Sequence, residues 1–238
     1  MRRVGIIGGM GPQATILIMQ KVLDAVKAQD DADHIPLIVD QNPQVPSRIR
    51  HLIEGGGENP GPILAAMARR LVAAGAEALA MPCNTAHYYA PAVCAAVSVP
   101  FLDMVESSVT HAARLAGQNR VIGILASPAV RQIGLFDAAL AKSGLTALYA
   151  SDEAAMLAAI RQIKAEGPQT MARQTLMRAS DEMLARGAGI QMISCTEFSL
   201  IAESIALEAV VFDTLDRLVD DIRSFAVEAG PERRHPTN

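Results

Sequence analysis

The chain has 238 residues, of which 50% are hydrophobic and 19% are charged, so it can bury the core of one large domain or of two domains of roughly 120 residues each. The net charge of −4 gives no reason to expect nucleic acid or an anionic membrane as a partner. No apolar stretch of signal-peptide length follows the N-terminus, and none reaches ~18 residues. The three cysteines form no zinc or CxxC pattern. We therefore expect a soluble protein of a reducing compartment, the cytoplasm.

Short apolar runs alternate with longer amphipathic runs along the chain, which predicts buried strands alternating with helices. In the first half the predicted elements are a strand at 4–7, a helix at 13–28, a strand at 35–39, a long Gly- and Pro-rich loop region between 41 and 61, a helix at 63–74, a strand at 78–81, a helix at 86–97, a strand at 99–104 and a helix at 105–116. In the second half they are a strand at 120–126, a helix at 128–142, a strand at 146–150, helices at 152–165 and 169–186, a strand at 190–193 and a strand at 209–213 before a last helix.

The second half repeats the pattern of the first. The segment 120–126 resembles the segment 3–8, and similar spacings separate Val4 from Cys83 and Val121 from Cys195. An internal repeat of strand–helix units predicts an α/β fold with parallel sheets, which bind ligands at the carboxyl ends of their strands. The polar tail at 231–238 is predicted to be disordered.

Each half carries one cysteine where a predicted strand ends and a helix follows, in MPCNTAH at 81–87 and in SCTE at 194–197. Such a position favours a thiolate, because helix N–H groups and the helix dipole stabilise negative charge there. If the halves face each other, Cys83 and Cys195 converge on one cleft. Two acid–base groups of similar pKa suit a reaction that removes a proton from one face of a carbon and returns one to the opposite face.

On GGMGPQAT at 8–15, MPCNTAH at 81–87 and SCTE at 194–197, the sequence resembles the aspartate/glutamate racemase superfamily, and is most similar to its cofactor-independent aspartate racemase branch. The resemblance spans the chain to about residue 228. It implies two pseudo-symmetric Rossmann-like domains with the active site in the cleft between them, no pyridoxal phosphate, no metal and a homodimer. It also implies that the chain returns to the first domain near its end. The first domain would then comprise 1–98 plus 208–230, and the second 99–207.

The resemblance implies a role in the reaction for the residues of the two cysteine motifs. Cys83 and Cys195 correspond to the two catalytic bases that interconvert L- and D-aspartate. Asn84, Thr85 and Thr196 correspond to the groups that hold the α-carboxylate and the ammonium group of the substrate, by side chains and by backbone amides.

The resemblance also implies how a dicarboxylate would be selected. Arg48 and Lys164 correspond to the residues that bind the distal carboxylate in the aspartate branch, where they would neutralise the second negative charge. The remaining predicted substrate-binding residues are Met10, Ser127 and Glu197. The segment SPAVR at 127–131 departs from the Thr-rich turn that is common in the superfamily, so contacts from this loop, and with them the choice of amino acid, stay open.

Several of these residues have ordinary structural interpretations. His87 would either tune the Cys83 thiolate or serve as a satisfied helix histidine, and Cys94 is predicted to be structural. Without the resemblance, Lys164 would be read as a solvated surface lysine. Glu197 would cap the helix that follows Cys195, orient the substrate or share a proton. Ser194 stands where the superfamily usually has Gly.

Proteins of other classes also fit parts of the sequence. GMGPQA at 9–14 matches a dinucleotide fingerprint after a strand, although Pro12 lacks one N–H group and the second cysteine motif would be unexplained. An oxidoreductase that bound a dinucleotide at this turn would need a long open groove across the first sheet. A non-catalytic dicarboxylate-binding protein would also use two facing domains. Within the superfamily, a glutamate or broad-specificity racemase, a hydantoin racemase and a maleate isomerase remain alternatives.

Overall fold

The structure, a computed structural model, describes residues 1–227, so the predicted disordered tail lies outside the described residues. The strands are β1 (Val4–Gly8), β2 (Leu37–Gln41), β3 (Ala78–Ala80), β4 (Phe101–Leu102), β5 (Val121–Ala126), β6 (Thr146–Tyr149), β7 (Ile190–Ser194) and β8 (Val210–Asp213). The α-helices are α1 (Pro12–Asp24), α2 (Arg48–Leu52), α3 (Gly61–Ala73), α4 (Ala90–Cys94), α5 (Met104–Ala116), α6 (Pro128–Gln132), α7 (Asp137–Lys142), α8 (Glu153–Glu166), α9 (Thr170–Ala185), α10 (Thr196–Ser199) and α11 (Thr214–Val227). None of these helices is long and apolar enough to cross a membrane.

The strands form two parallel four-stranded sheets with the same topology. The first sheet has the order β2-β1-β3-β4 and the second has the order β6-β5-β7-β8. Strands β1 and β7 are buried along their whole length, as expected for central strands covered by helices on both faces. The predicted α/β class with two pseudo-symmetric halves is confirmed.

The clearest local differences between the predicted elements and the structure concern three segments. The predicted helix at 86–97 is a 3₁₀ turn, Thr85–Tyr89, followed by α4, because Pro91 occupies the first turn of a new helix and cannot supply an N–H group to the preceding one. The predicted helix at 128–142 is divided into α6 and α7 by Gly134, whose φ is +60°. The long loop contains α2, which Ser47 caps by accepting a hydrogen bond from Arg50 N at 3.3 Å.

The chain crosses between the two halves immediately after an edge strand, once in each direction. Strand β4 pairs with β3 in the first sheet, and β8 pairs with β7 in the second. Asp103 then caps α5, and Asp213 accepts a hydrogen bond from Leu215 N at the start of α11. The crossings therefore lie a few residues later than the predicted boundaries at 98/99 and 207/208, because each edge strand stays paired with the half it follows.

Helix α11 packs on the first half after β8 has completed the second sheet. Its buried apolar residues join one core cluster with β1 and α1, and this cluster includes Leu218, Ile222, Val4, Ile6 and Ile18. The fully buried apolar stripe of this helix supplies the hydrophobic free energy that holds the terminal segment on the first half. The two halves are therefore linked by two chain crossings.

The turn after β1 requires glycine at one position. Gly9 has φ +93°, and a Cβ atom there would lie 2.3 Å from the backbone carbon of Asn42. Its N–H donates to Thr15 Oγ1 at 2.8 Å, which ties the turn to the first helical turn of α1. The turn thereby places Met10, which is 3% exposed, at the carboxyl end of β1.

We expect Gly9→Ala to destabilise the fold by at least ~2 kcal/mol, because the substitution combines a strained positive φ with a backbone clash. Gly55→Ala is the matched control: Gly55 has φ +70° but nothing within 4 Å of the added Cβ, so only the strain of ~1 kcal/mol applies. Urea unfolding followed by circular dichroism measures both. Equal free energies of unfolding for the two variants would contradict the close approach of Asn42.

Candidate active site

One cavity lies where the carboxyl ends of the two sheets face each other. Its volume is about 40 Å³. The residues that line it are Met10, Ser47, Arg48, Ile49, Cys83, Asn84, Thr85, Ser127, Ile160, Lys164, Ser194, Cys195, Thr196 and Glu197. The structure thus brings all ten residues that the sequence analysis selected to the same cavity.

Sequence reasoning did not select four of the lining residues. Ser47 and Ile49 flank Arg48, and Ser194 precedes Cys195 and is noted above only as a departure from the superfamily. Ile160 lies four residues before Lys164 on α8, and this spacing places both on one face of the helix. The four-residue spacing between Ile160 and Lys164 would have identified Ile160 as a cavity residue from the sequence.

The Cys83 segment is held by backbone hydrogen bonds and leaves the sulphur open to the cavity. The carbonyl of Cys83 accepts hydrogen bonds from Ala86 N at 3.2 Å and from His87 Nδ1 at 2.9 Å. Within residues 1–227, no group forms a hydrogen bond with its Sγ atom, and the residue is only partly buried. The thiol is therefore positioned by its backbone and is free to meet a ligand.

His87 proves to be a structural residue of this segment. Its Nε2 accepts a hydrogen bond from Met104 N at 3.3 Å, so Nδ1 carries the proton that is donated to the Cys83 carbonyl. Burial lowers the pKa of His87, although the nearby charge of Asp103 opposes this effect. The neutral ring thus links the Cys83 loop to the start of α5 and offers no imidazolium to the Cys83 thiol.

Cys195, unlike Cys83, is buried and its thiol has a hydrogen-bond partner. It is 8% exposed and occupies the N-cap position of α10. Its thiol donates a hydrogen bond to Glu197 Oε2 at 3.1 Å. Burial raises the pKa of Cys195 well above its ordinary value, and the charge and hydrogen bond of Glu197 raise it further. The third cysteine, Cys94, is exposed and does not line the cavity.

Lys164 forms an ion pair with Glu197 at the cavity wall. Its Nζ atom lies 3.3 Å from Glu197 Oε1, and its side chain remains 38% exposed. Burial acts to lower the pKa of Lys164, but Glu197 together with the thiols of Cys195 and Cys83 outweighs this effect and raises it. The charged ammonium group of Lys164 is thus directed at the cavity, and Lys164 is not simply a surface lysine surrounded by solvent.

Arg48 begins α2, within the Gly- and Pro-rich loop region between 41 and 61. Its Nη1 donates to the carbonyl oxygens of Val45, at 3.2 Å, and Pro46, at 3.0 Å. Within the described part of the chain, no carboxylate forms an ion pair with its guanidinium group. Arg48 therefore presents a positive charge that its own loop orients but does not neutralise.

Polar side chains join the two halves at the cavity. Thr196 Oγ1 donates to the carbonyl of Pro82 at 3.0 Å, and the hydroxyl groups of Thr85 and Ser127 lie 3.3 Å apart. Asn84 Nδ2 donates to Thr214 Oγ1 at 3.0 Å. The Oδ1 atom of Asn84 is buried and has no partner within residues 1–227, so it is available to accept a hydrogen bond from a ligand.

The cavity is closed in this conformation. A volume of about 40 Å³ accommodates a few water molecules but is too small for an amino acid. On the surface, Arg161 Nη2 pairs with Glu54 Oε1 at 2.7 Å, and Gln132 Nε2 donates to the carbonyl of Leu52 at 3.1 Å. Leu52 and Glu54 belong to the segment around α2, so these contacts hold this segment against the second half beside the cavity.

A larger groove of about 700 Å³ lies between α5 and α11. None of the ten predicted site residues lines it, and its walls carry both acidic and basic groups, of which Arg217 and Asp220 pair with each other at 2.9 Å. Convergent polar groups and a thiol from each half are found at the smaller cavity, which we therefore take as the candidate active site.

The geometry at the Gly-rich turn does not favour the dinucleotide interpretation. The N–H group of Gly9 is already bonded to Thr15, and Met10 lines the cavity between the two halves. No group of three or more His, Cys, Asp or Glu residues within 1–227 is placed to hold a metal ion.

Solved structures of racemases share this fold. The aspartate racemase of Picrophilus torridus superposes with a TM-score of 0.83 at 24% sequence identity, covering 95% of this chain and 94% of that chain. A glutamate racemase of Francisella tularensis superposes with a TM-score of 0.68 at 16% identity, covering 94% of this chain and 80% of that chain. At these identities the likeness concerns the fold alone.

Sequence comparison points in the same direction. The broad-specificity amino-acid racemase RacX of Bacillus subtilis (strain 168) is 27% identical over 220 residues, which cover 89% of this chain and 92% of the relative. A sequence model of the Asp/Glu/hydantoin racemase family matches residues 7–222. Because this match covers most of the chain, the protein belongs to the Asp/Glu/hydantoin racemase family.

Proposed function

We propose that this protein is a cofactor-independent amino-acid racemase that interconverts L- and D-aspartate, with Cys83 and Cys195 as the two bases. The observation that carries this proposal is that two thiols, each following the third strand of its half in equivalent sheets, line one closed cavity. A two-base reaction needs one group on each face of the reacting carbon, and the paired half-sites supply such groups. Membership in the racemase family supports the same reaction.

The chemical step transfers two protons. One cysteine, as thiolate, removes the proton from Cα on one face, which leaves a planar carbanion with its charge spread over the α-carboxylate. The other cysteine, as thiol, donates its proton to the opposite face, so the configuration inverts and the two cysteines exchange protonation states. Burial and closure of the cavity keep water from returning a proton to the first face.

The polar groups of the cavity match the invariant part of an amino acid. Asn84 Oδ1, buried and without a partner in residues 1–227, would accept a hydrogen bond from the substrate ammonium group. The hydroxyl groups of Thr85 and Ser127 would bind the α-carboxylate, where negative charge increases in the transition state. The Thr196 hydroxyl already donates its proton to the Pro82 carbonyl, so Thr196 would contribute its backbone N–H group.

The charges of the cavity support a dicarboxylate substrate. Arg48 is not paired with any carboxylate of the described residues, and Lys164 reaches the same cavity. A distal carboxylate between them would form charge-assisted hydrogen bonds, which are the stronger class. These two cations favour aspartate, and glutamate second.

A broad-specificity racemase is the second candidate. Two features favour it: Glu197 already balances the charge of Lys164, and the apolar side chains of Ile49 and Ile160 line the cavity. A pocket with apolar walls and one compensated cation would also accept neutral side chains. RacX of Bacillus subtilis, the relative described above, carries the broad-specificity description.

The homodimer implied by the resemblance stays a proposal. Helix α1 and the segment before β2 expose apolar side chains around a groove of about 400 Å³, including Ile16 (62% exposed) and Leu23 (46% exposed). An exposed apolar face of this kind is typical of a contact surface. Light scattering in solution measures the oligomeric state directly.

Exchange of the α-hydrogen tests the function itself. In deuterated water, L-aspartate and D-aspartate should each lose the Cα–H signal in proton NMR while the opposite enantiomer accumulates, measured by chiral chromatography. Repeating the measurement over a panel of L- and D-amino acids separates an aspartate racemase from a broad-specificity enzyme. Tight binding of aspartate without any exchange would instead identify a dicarboxylate-binding protein.

Cysteine variants test the two-base mechanism. Cys83→Ser and Cys195→Ser should each lower the rate of racemisation at least ~100-fold, because a hydroxyl group is too weak an acid to form the resting base. Cys94→Ser, at the exposed cysteine, is the matched control and should keep the wild-type rate. With a substrate that carries a β leaving group, each active-site variant should still remove the Cα proton from the enantiomer that faces its remaining thiol, and that enantiomer should lose the leaving group. The two variants should therefore act on opposite enantiomers. A wild-type rate of racemisation in either variant would refute the mechanism.

Variants of the two cations test the substrate preference. Arg48→Ala and Lys164→Ala should each lower kcat/KM for aspartate at least ~10-fold, because each removes charge-assisted hydrogen bonds to the distal carboxylate. Activity on a neutral amino acid should fall less, and Lys142→Ala, at an exposed lysine of α7, should change neither. Equal losses on both substrates would show that the two residues support the fold or the general reaction and not specificity.

A further inference from the structure

The two cysteines occupy equivalent positions in the repeat but have unlike partners. The Cys195 thiol donates its proton to Glu197 Oε2 at 3.1 Å in a site where both residues are more than nine-tenths buried. The Cys83 sulphur, in contrast, meets no hydrogen-bonding group of residues 1–227 and is partly exposed to the cavity. A pseudo-symmetric pair of bases is thus placed in an asymmetric electrostatic environment.

Glu197 is held in this position by both of its oxygens. Oε2 accepts from the Cys195 thiol, and Oε1 lies 3.3 Å from Lys164 Nζ on α8. The carboxylate belongs to the first turn of α10. The carboxylate cannot turn away from the sulphur without breaking the ion pair.

A thiolate at Cys195 would place two negative charges about 3 Å apart in a buried site, and like charges at this separation strongly oppose ionisation. The cations that face Cys195 compensate only in part. Lys164 is already paired with Glu197, and Arg48, on the segment around α2, is oriented by two backbone carbonyls. Cys83 across the cavity adds a further negative charge whenever it is ionised.

We propose that Glu197 is a positioning residue that keeps Cys195 protonated in the resting enzyme, so that Cys195 enters the reaction as the proton donor. This inference rests on the proposed two-base function, and it gives the two proposed bases a defined starting state. The free enzyme is then ready for the enantiomer whose Cα–H faces Cys83, and it must exchange protonation states before it turns over the other.

The protons balance over one turnover. The Cys83 thiolate takes the Cα proton and becomes a thiol, and the Cys195 thiol gives its proton to the opposite face and becomes a thiolate beside Glu197. To return to the starting state, Cys195 takes a proton from water and Cys83 releases one to water. The repulsion between the Cys195 thiolate and the Glu197 carboxylate drives this return.

Titration of Cys195 alone tests the inference without any measurement of activity. Because the chain has three cysteines, the Cys83→Ser/Cys94→Ser variant keeps Cys195 as its only thiol. The ultraviolet absorbance of the thiolate, followed against pH, gives its midpoint. Adding Glu197→Gln should lower this midpoint by at least about one pH unit, because the neutral amide keeps the shape of the carboxylate but removes its charge.

Glu203→Gln is the matched control, since Glu203 is a surface glutamate in an ion pair with Arg173 and is not part of the cavity. It should leave the midpoint of Cys195 unchanged. If circular dichroism shows that Glu197→Gln does not fold, Glu197→Ala should lower the midpoint and Glu197→Asp, which keeps the charge, should preserve most of the elevation.

An unchanged or higher midpoint in the folded Glu197→Gln or Glu197→Ala variant would overturn the inference. The outcome is distinguishable from failure of the proposed function. If wild-type protein racemises aspartate but the midpoint does not fall, only the role of Glu197 is refuted. If the midpoint falls but wild-type protein exchanges no α-hydrogen, the carboxylate controls the thiol as inferred and the proposed function is refuted.

Discussion

The candidate site depends on the direction of the strands in two parallel sheets. In each sheet all strands end at the same edge, so the loops that follow β1, β3, β5 and β7 are brought together, and the packing of the halves places the two edges against each other. The hydrogen bond from Thr196 to the carbonyl of Pro82 joins the two cysteine loops directly. Without this edge-to-edge contact, each half would hold one cysteine and an incomplete set of polar groups.

The repeat supplies symmetry, and single side chains then break it. His87 is fully engaged with the backbone of the Cys83 segment and the start of α5, so it fixes the position of the first thiol without contributing charge. Glu197 acts on the second thiol itself. The two half-sites have the same backbone plan, yet one cysteine faces an open cavity and the other faces a carboxylate. In the proposed reaction, Glu197 would give this pair of bases a defined protonation state at the start.

Charge balance connects this asymmetry to substrate selection. Lys164 contacts Glu197, whose other oxygen contacts Cys195, so the cation that would bind a distal carboxylate also stabilises the group that acts on the thiol. A substrate that draws Lys164 toward its own carboxylate would weaken the ion pair and change the electrostatic environment of Cys195. In the proposed reaction, specificity and proton transfer would thus be coupled through one buried carboxylate. Arg48 lies on the segment around α2, which hydrogen bonds connect to the second half.

The sequence by itself determined the α/β class, the internal repeat and the two cysteine positions, because apolar periodicity and strand-end motifs are local and are encoded by neighbours along the chain. The other eight predicted residues of the cavity came from the resemblance to the racemase superfamily. Only the tertiary structure decided that β4 and β8 stay with the sheet they follow, that His87 is satisfied by backbone groups, that Ile160 reaches the cavity, and that Glu197 bridges Cys195 and Lys164. These outcomes rest on contacts between residues far apart in the chain or on the orientation of one side chain among several allowed rotamers, and neither leaves a local pattern.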